Sequence, residues 1–273
     1  MLTMGTSRLN ASASDSWVSP THQSRLRNLI DSQARLTLWF DRLFPDEFQV
    51  DGNRHFLEDL VPGYLQPGSL VYDVGGGKNP VVSRRIKADL GLSIVGLDID
   101  NAELAAAPPG LYDQTVCADI VTYPGHGDAD LVICQALLEH VRDTDRAISA
   151  ISSILKPGGR ALIFVPSRNA AYARLNLILP EAIKRRILYS VFPEMRKDHG
   201  FRAYYDRCTP SSFDRLAGRH GLTRESRRLY FTSGYFRFCL PLHAMWRVWL
   251  LLFRRLAGPE AAETFAVVLR KER

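Results

Sequence analysis

The sequence is poor in the residues that build disulfide frameworks and zinc sites. Only four of its 273 residues are cysteine, and none stands in a Cys-x-x-Cys pair or at the Cys/His spacing of a zinc ligand set. Disulfide frameworks and zinc sites both depend on such spacing. We therefore expect no disulfide and no bound metal, and a cytoplasmic protein.

Long apolar segments and targeting signals are also scarce. The N-terminal stretch MLTMGTSRLNASASDSW lacks the apolar core of a secretory signal, so none is predicted. Segment 239–258 is the most hydrophobic, but its longest uninterrupted apolar run is 248–253. A membrane-spanning helix needs about 20 apolar residues. The sequence therefore predicts no membrane span, and we find no internal repeat.

The net charge of +6 is unevenly distributed. Residues 171–273 carry 20 Lys/Arg against 9 Asp/Glu, whereas residues 1–170 carry 15 against 20. A basic C-terminal third favours an anionic contact such as a phosphate, a nucleic acid or a lipid headgroup layer. Solvated arginines on lid helices would give the same balance, so both interpretations stay open.

Short apolar runs alternate with helical patterns along most of the chain. This alternation predicts an α/β fold with a parallel sheet and helices on both faces. Helices are expected at 22–44, 55–61, 80–89, 101–107 and 144–155, and strands at 69–74, 93–99, 114–120, 129–135, 160–167, 221–231 and 263–271. The tetrapeptide at 156–159, Lys-Pro-Gly-Gly, predicts a turn before the fifth strand.

Three consecutive glycines follow the first predicted strand. The segment VYDVGGGKNP leads from Asp73 into Gly75, Gly76 and Gly77. Glycines let a ligand lie against the backbone, and a helix N-terminus beyond them favours a carboxylate. A dinucleotide fingerprint would put Pro80 where close packing requires Gly or Ala. By itself the cluster is equally compatible with a tight turn.

Acidic residues end the next two predicted strands. Asp98 closes the second strand in GLDID, and Asp119 closes the third in CADI. An acid at the end of strand two can accept both hydroxyls of a ribose, and the second acid can accept from an adenine amine. Together with Asp73 they predict a nucleoside-binding crevice at the carboxyl ends of the strands.

These segments, in this order and spacing, resemble the class I S-adenosylmethionine-dependent methyltransferases. The resemblance covers roughly residues 66–167 and includes DVGGGKNP, GLDID, CADI, DLVICQALLEHV and LKPGGRALIFVPS. In one departure, the family's third alternating glycine is Asn79 here. The resemblance implies a Rossmann-like, seven-stranded, mostly parallel sheet whose last strand is antiparallel.

The resemblance also implies a cofactor, S-adenosylmethionine, and the residues that hold it. The glycine-rich segment with Asp73 would hold the methionine portion, Asp98 followed by Ile99 the ribose, and Asp119 with Ile120 the adenine. Cys134 and Gln135 would lie beside the sulfonium.

One histidine follows strand four near the expected methyl position. Transfer to a hydroxyl or phenol is helped by a general base, and His140 in LLEHV is the candidate. His140 could instead only pack at the pocket wall. Related quinone-pathway O-methyltransferases carry a similar Glu-His pair that can engage a divalent cation, but a lone pair such as Glu139–His140 is a weak metal signal. Less specific candidates in the variable regions are His199, Tyr204, Tyr205 and His243.

The acceptor is expected to be a small or lipid-linked molecule methylated on oxygen, with nitrogen and carbon as open alternatives. Strand four lacks the Asn/Asp-Pro-Pro-Tyr/Phe sequence of amino-methylating DNA enzymes, and no Pro-Cys nucleophile or RNA-binding module is present, so no nucleic acid is expected. Segment 239–256 carries Trp246, Trp249 and Phe253 beside arginines at 247, 254 and 255 that could reach headgroups. It predicts either contact with the inner membrane surface or a helix packed as a lid over the pocket or at a dimer contact.

The resulting prediction is one class I methyltransferase domain at 66–273, preceded by an N-terminal tail and helical cap at 1–65. Two insertions, 168–208 and 232–262, would form lids over the acceptor. Three alternatives stay open: a SAM-binding relative without turnover, a nicotinamide-dependent oxidoreductase of the Rossmann type, and a protein that mainly attaches to membranes. The sequence leaves the oligomeric state unknown.

Overall fold

The computed structural model describes residues 20–180 and 201–272. Its centre is one seven-stranded sheet in the order β3-β2-β1-β4-β5-β7-β6. Only β7 runs antiparallel to its neighbours, so the expected mostly parallel sheet with an antiparallel last strand is confirmed. The strands are β1 (Leu70–Val74), β2 (Ser93–Asp98), β3 (Gln114–Cys117), β4 (Ala129–Gln135), β5 (Leu155–Pro166), β6 (Leu222–Tyr230) and β7 (Thr264–Lys271).

Helices cover both faces of the sheet. They are α1 (Pro20–Asp41), α2 (Gly52–His55), α3 (Arg84–Leu90), α4 (Asn101–Ala105), α5 (Thr144–Ile154), α6 (Ala171–Ile178), α7 (Pro210–Arg219) and α8 (Leu240–Ala257). Helix α7 is capped at its N-terminus, since the Thr209 side chain accepts from the Ser212 N–H and Pro210 occupies the first turn.

Several element boundaries differ from the sequence pattern. The Lys-Pro-Gly-Gly segment lies inside β5, where the register with β4 jumps between Ala129 and Leu131. The predicted turn therefore interrupts the β4–β5 register within the strand, because pairs with β4 form on both sides of it. Strand β3 ends at Cys117, two residues before Asp119. Helix α3 begins only at Arg84, so the glycines open into a loop rather than directly into a helix.

Two apolar layers hold the helices against the sheet. One layer buries side chains such as Val74 and Cys134 under α5 and α7, and the other buries Val71 and Ile133 against Phe56. Because strand side chains alternate between faces, neighbouring residues of β1 and β4 feed opposite layers. This fixes the register that brings the carboxyl ends of β1 and β4 together.

A third apolar cluster lies beneath α8. Its inward side carries Trp246 and Leu250, which pack with Phe48, Phe231 and Phe236. Arg247 is also buried there, and its Nε donates to Asp41 Oδ1. The expectation that Arg247 could reach lipid headgroups is wrong, because its guanidinium is buried and hydrogen-bonded to Asp41.

His243 is likewise an internal residue. It has no exposed surface, and its Nε2 lies 2.7 Å from Asp41 Oδ1. It therefore joins α8 to α1 and does not contribute to an open acceptor pocket. The basic cluster at 184–186 and His199 lie outside the described residues, together with the middle of the first predicted insertion.

The outward side of α8 is apolar. The side chains at 245, 248, 249, 252 and 256 are each more than half exposed, and their separations of three, one, three and four residues place them on one helical face. In the described part of the chain, no helix is both long and apolar enough to cross a bilayer.

Candidate active site

The site is built at the carboxyl end of β1. Asp73 is 1% exposed, and its Oδ2 accepts from the Val81 N–H at 2.8 Å and the Tyr112 hydroxyl at 3.3 Å. Its Oδ1 atom is buried and has no hydrogen-bond partner. Burial raises the pKa of Asp73 to about 6, against the lowering effect of these two donors. The carboxyl is therefore mostly ionised at neutral pH and has one oxygen free to accept.

The glycines after β1 are required by close approach. A Cβ atom on Gly76 would lie 2.5 Å from Tyr112 Oη and 2.6 Å from Asp73 Oδ2. Gly75 has φ +78°, and a Cβ there would come within 3.0 Å of Leu137. Gly77 stands at the exit of the same turn with φ +48°. The backbone can therefore wrap around the Asp73 carboxyl only without side chains here.

Asp98 stands at the end of β2, the neighbour of β1 in the sheet. Its Oδ1 accepts from the Asp100 N–H at 2.9 Å. Burial raises the pKa of Asp98, as do the nearby carboxylates of Asp100 and Glu103. Ile99 beside it is 58% exposed, which leaves an apolar side chain open next to a carboxylate. A bound nucleoside could use both, the carboxylate to accept from its ribose hydroxyls and the apolar side chain to contact its base.

The third predicted acid lies further from the sheet than expected. Asp119 is exposed, and its Oδ1 accepts from the Val121 N–H at 2.9 Å, which closes a turn after β3. Ile120 is 4% exposed and packs into the core. The structure thus brings the Asp119 turn to the same edge as Asp98, with Ile120 as its anchor.

The two residues predicted beside the methyl position lie at the end of β4, but their side chains are in different environments. Cys134 has no exposed surface, and burial raises the pKa of its thiol. Its side chain therefore belongs to the core under the site. Gln135 is partly exposed, and its Nε2 donates to Asn53 Oδ1 of α2. Sequence reasoning missed Asn53, because nothing in the sequence linked α2 to β4.

His140 lies in a helical turn that follows β4. Its Nδ1 is 3.1 Å from the carbonyl oxygen of Arg202. A carbonyl only accepts, so the neutral ring carries its hydrogen on Nδ1 and leaves the Nε2 lone pair available. Burial lowers the pKa of His140, which keeps the ring neutral at physiological pH. Its side chain is 30% exposed.

Glu139 precedes His140 in the chain, and its side chain is buried in the protein. It is 4% exposed, and its Oε2 is buried with no hydrogen-bond partner. Burial raises the pKa of Glu139 to about 8. The Oε1 atom is 3.8 Å from His140 Nε2, so a proton taken by the ring would stand next to this carboxyl.

The arrangement offers an acceptor-rich crevice and a base. Asp73 Oδ1 and the Asp98 carboxylate can accept from amino and hydroxyl groups, the glycine turn admits a ligand against its backbone, and His140 can take a proton. Among residues 20–180 and 201–272, no cluster of three His, Cys, Asp or Glu side chains could hold a metal ion.

Comparison with known proteins gives a consistent result. Residues 47–225 match the family model described as a methyltransferase domain. The ubiquinone biosynthesis O-methyltransferase of Thiobacillus denitrificans is 27% identical over 165 residues, which cover 58% of this chain and 66% of that protein. The enzyme of the same name from Cupriavidus pinatubonensis is 27% identical over 63% of this chain and 71% of its own. The matched stretch thus spans about two thirds of these relatives.

Solved structures share the fold. Haemonchus contortus phosphoethanolamine N-methyltransferase 2, in complex with S-adenosyl-L-methionine, superposes with a TM-score of 0.53 at 17% identity. The superposition covers 91% of this chain and 60% of that one.

Proposed function

Because the chain belongs to the methyltransferase-domain family, with the class I fold of S-adenosylmethionine-dependent enzymes, we propose that it transfers a methyl group to an oxygen of a small-molecule acceptor. The relatives named above are O-methyltransferases, which supports oxygen as the methylated atom. The nicotinamide oxidoreductase and the inactive relative gain no support from these comparisons.

The residues at the sheet edge fit S-adenosylmethionine. The unpartnered Asp73 Oδ1 would accept from the cofactor's ammonium group, and the glycine turn would lie along its methionine portion. Asp98 would accept from the ribose hydroxyls, with Ile99 against the nucleoside. The Asp119 turn, anchored by Ile120, would border the adenine. These are proposals that rest on the orphaned carboxylate oxygen and on the space that the glycines leave.

In the proposed reaction, the residues of this chain carry out one proton transfer. When bound, the cofactor supplies a methyl group already activated by its sulfonium. His140 Nε2 would remove the acceptor's hydroxyl proton as that oxygen attacks. The bond from Nδ1 to the Arg202 carbonyl would hold the ring in the required tautomer. Once the nearby Glu139 carboxyl is ionised, its negative charge would stabilise the imidazolium.

The observation that carries the proposal is the unpartnered Asp73 carboxylate oxygen beside the glycine turn. The test is isothermal titration of the full chain with S-adenosylhomocysteine, with NADH as a parallel ligand. We expect micromolar binding of the first and none of the second. Transfer of label from methyl-labelled cofactor to a panel of phenols and catechols then tests turnover. Absence of S-adenosylhomocysteine binding by folded protein would refute the proposal.

We further propose that the acceptor is carried on a lipid and that segment 239–256 meets the membrane surface. The support is the apolar outward face of α8, which includes Trp249 and Leu252 at about half exposure. Helix α8 contains no acidic residue, and Arg255 at its end is exposed. A face of this kind suits an interface with anionic headgroups.

A further inference from the structure

The segment at 201–208 is fastened across the end of β4. The backbone N–H groups of Tyr204 and Tyr205 both donate to the Glu139 carbonyl, at 2.7 and 2.9 Å. Further along, Asp206 Oδ2 accepts from the Thr144 N–H at 3.0 Å. These bonds fix the segment beside His140, even though it lies about 60 residues away in sequence.

The backbone of this segment is held in an unfavourable conformation. Tyr205 has φ +51° and Arg207 has φ +50°, and Ala136 at the end of β4 has φ +51°. Left-handed conformations cost free energy in residues other than glycine, so they persist only where surrounding contacts enforce them. Such strain is concentrated at functional sites.

Two arginines meet on one tyrosine of the segment. The Arg142 guanidinium carbon lies 5.1 Å from the centre of the Tyr204 ring, and that of Arg202 lies 5.3 Å from it. Arg142 Nε also donates to the Tyr204 hydroxyl at 3.1 Å. The Tyr204 ring therefore attracts both guanidinium groups through cation–π contacts, which offset the repulsion between their like charges.

Neither of these cations is neutralised by a carboxylate within the part of the chain that the structure describes. Other arginines nearby are, since Arg207 pairs with Asp145 at 3.2 Å and Arg227 with Asp214 at 3.0 Å. The nearest buried acid, Glu139, has a pKa of about 8 and is therefore mostly uncharged at neutral pH. Both side chains are exposed, so apart from the Arg142 Nε–H that donates to Tyr204, their guanidinium donors remain available beside the segment that contacts His140.

We propose that Arg142 and Arg202 bind an anionic group of the methyl acceptor, a carboxylate or a phosphate, while its hydroxyl reaches His140 Nε2. Guanidinium groups present planar pairs of N–H donors that match both oxyanions. Arg202 would serve both functions, because its carbonyl accepts from His140 Nδ1 while its side chain would bind the anion. This anion site rests on the proposed function in one respect only, that the anionic ligand is the methyl acceptor.

The test uses pairs of compounds that differ in one negative charge. Isothermal titration of the full chain, with and without S-adenosylhomocysteine, would compare 3,4-dihydroxybenzoate with its methyl ester, and 2-hydroxyphenyl phosphate with catechol. We expect the charged member of at least one pair to bind about tenfold more tightly. The pair that shows the preference distinguishes carboxylate from phosphate.

The variants decide whether the two arginines are responsible. Arg142→Gln combined with Arg202→Gln should remove the preference and leave binding of the uncharged member within twofold. Arg85→Gln, on the exposed face of α3, is the matched control and should retain it. Absence of any preference in the wild type, or a preference that survives in the double variant, overturns the proposal.

Failure of methyl transfer would be recognised separately. These titrations need no turnover, so an anion preference that depends on Arg142 and Arg202 can stand even if no label reaches an acceptor. Conversely, methyl transfer to phenols with no charge preference would retain the proposed function and refute the anion site.

Discussion

Arg247 Nε donates to Asp41 Oδ1 over 2.7 Å, and this buried pair joins α8 to α1. The guanidinium has no exposed surface, and its Nη1 also donates to the carbonyl oxygens of Phe48 and Phe231. His243 Nε2 shares the same Asp41 oxygen at 2.7 Å. Burial raises the pKa of Asp41, but the hydrogen bonds from His243 and Arg247 outweigh it and hold the pKa below its usual value.

Asp41→Asn is expected to destabilise the fold by about 3–5 kcal/mol, because it leaves the buried Arg247 charge without its counter-charge. The free energy of unfolding from urea titration measures this. Asp31→Asn, an exposed change on the same helix, should have an effect below about 0.5 kcal/mol. Equal stability of the two variants would show that the pair contributes little. Because the pKa of Asp41 is lowered in the folded protein, the stabilisation that its carboxylate provides should also diminish as the pH falls through that pKa.

Asp98→Ala is expected to weaken S-adenosylhomocysteine binding about tenfold to hundredfold, through loss of hydrogen bonds from the ribose to a charged acceptor. Titration calorimetry gives the affinity, and thermal melting checks that the domain stays folded. Asp89→Ala on α3 is the control for charge removal at the surface. Unchanged affinity would rule out the ribose assignment.

His140→Ala is expected to lower kcat by roughly 10²–10⁴ while cofactor affinity stays nearly constant, because the ring would act on the acceptor's proton. The wild-type rate should fall on the acid side below pH 6.5, since burial lowers the pKa of this histidine. The pH profile of the methyl-transfer rate measures both effects. Full activity in the variant would remove His140 from the mechanism.

Glu139→Gln should change how stability depends on pH. The folded pKa of about 8 is above the ordinary 4.5, so the protonated carboxyl stabilises the fold below pH 4.5 and this contribution is lost as the pH rises to 8. Between these values the wild type should lose up to about 1.4 kcal/mol per pH unit relative to the variant. Urea unfolding at pH 5, 6.5 and 8 tests this, and parallel curves would contradict it.

Trp249→Ser with Leu252→Ser should reduce binding to vesicles of phosphatidylglycerol and phosphatidylcholine by at least about tenfold, because two large apolar side chains leave the outward face of α8. Flotation on a density gradient measures the bound fraction. Leu177→Ser, an exposed apolar change on α6, is the control. If wild type and double variant float equally, or if neither floats and the wild type self-associates, the face serves another contact.

Much of the site could be predicted because its residues follow strands in a fixed way. The apolar runs set where β1, β2 and β4 end, and parallel strands bring their carboxyl ends to one edge. Asp73, Asp98 and His140 are therefore found together at that edge. The Cys134 side chain lies in the core instead, since one step along a strand reverses the direction of the side chain.

The arginines show the limit of local pattern most clearly. In the sequence, Arg247 among leucines and tryptophans reads as an interfacial cation, and Arg142 and Arg202 have no evident relation. Arg142 donates to a tyrosine 62 residues away, and Arg247 donates to an aspartate 206 residues away. Helical periodicity gives the faces of α8 but not which face is buried, because both are rich in apolar residues.

The alternation of strands and helices, the glycine turn after β1 and the acids that follow the strands can be read from the sequence, since these depend on local propensity and periodicity. Four features appear only in the folded protein: the register shift in β5, the Asn53–Gln135 contact, the buried Asp41–Arg247 pair and the two arginines on Tyr204. Each of these joins segments distant in sequence, and a group's charge state and exposure follow from what packs against it.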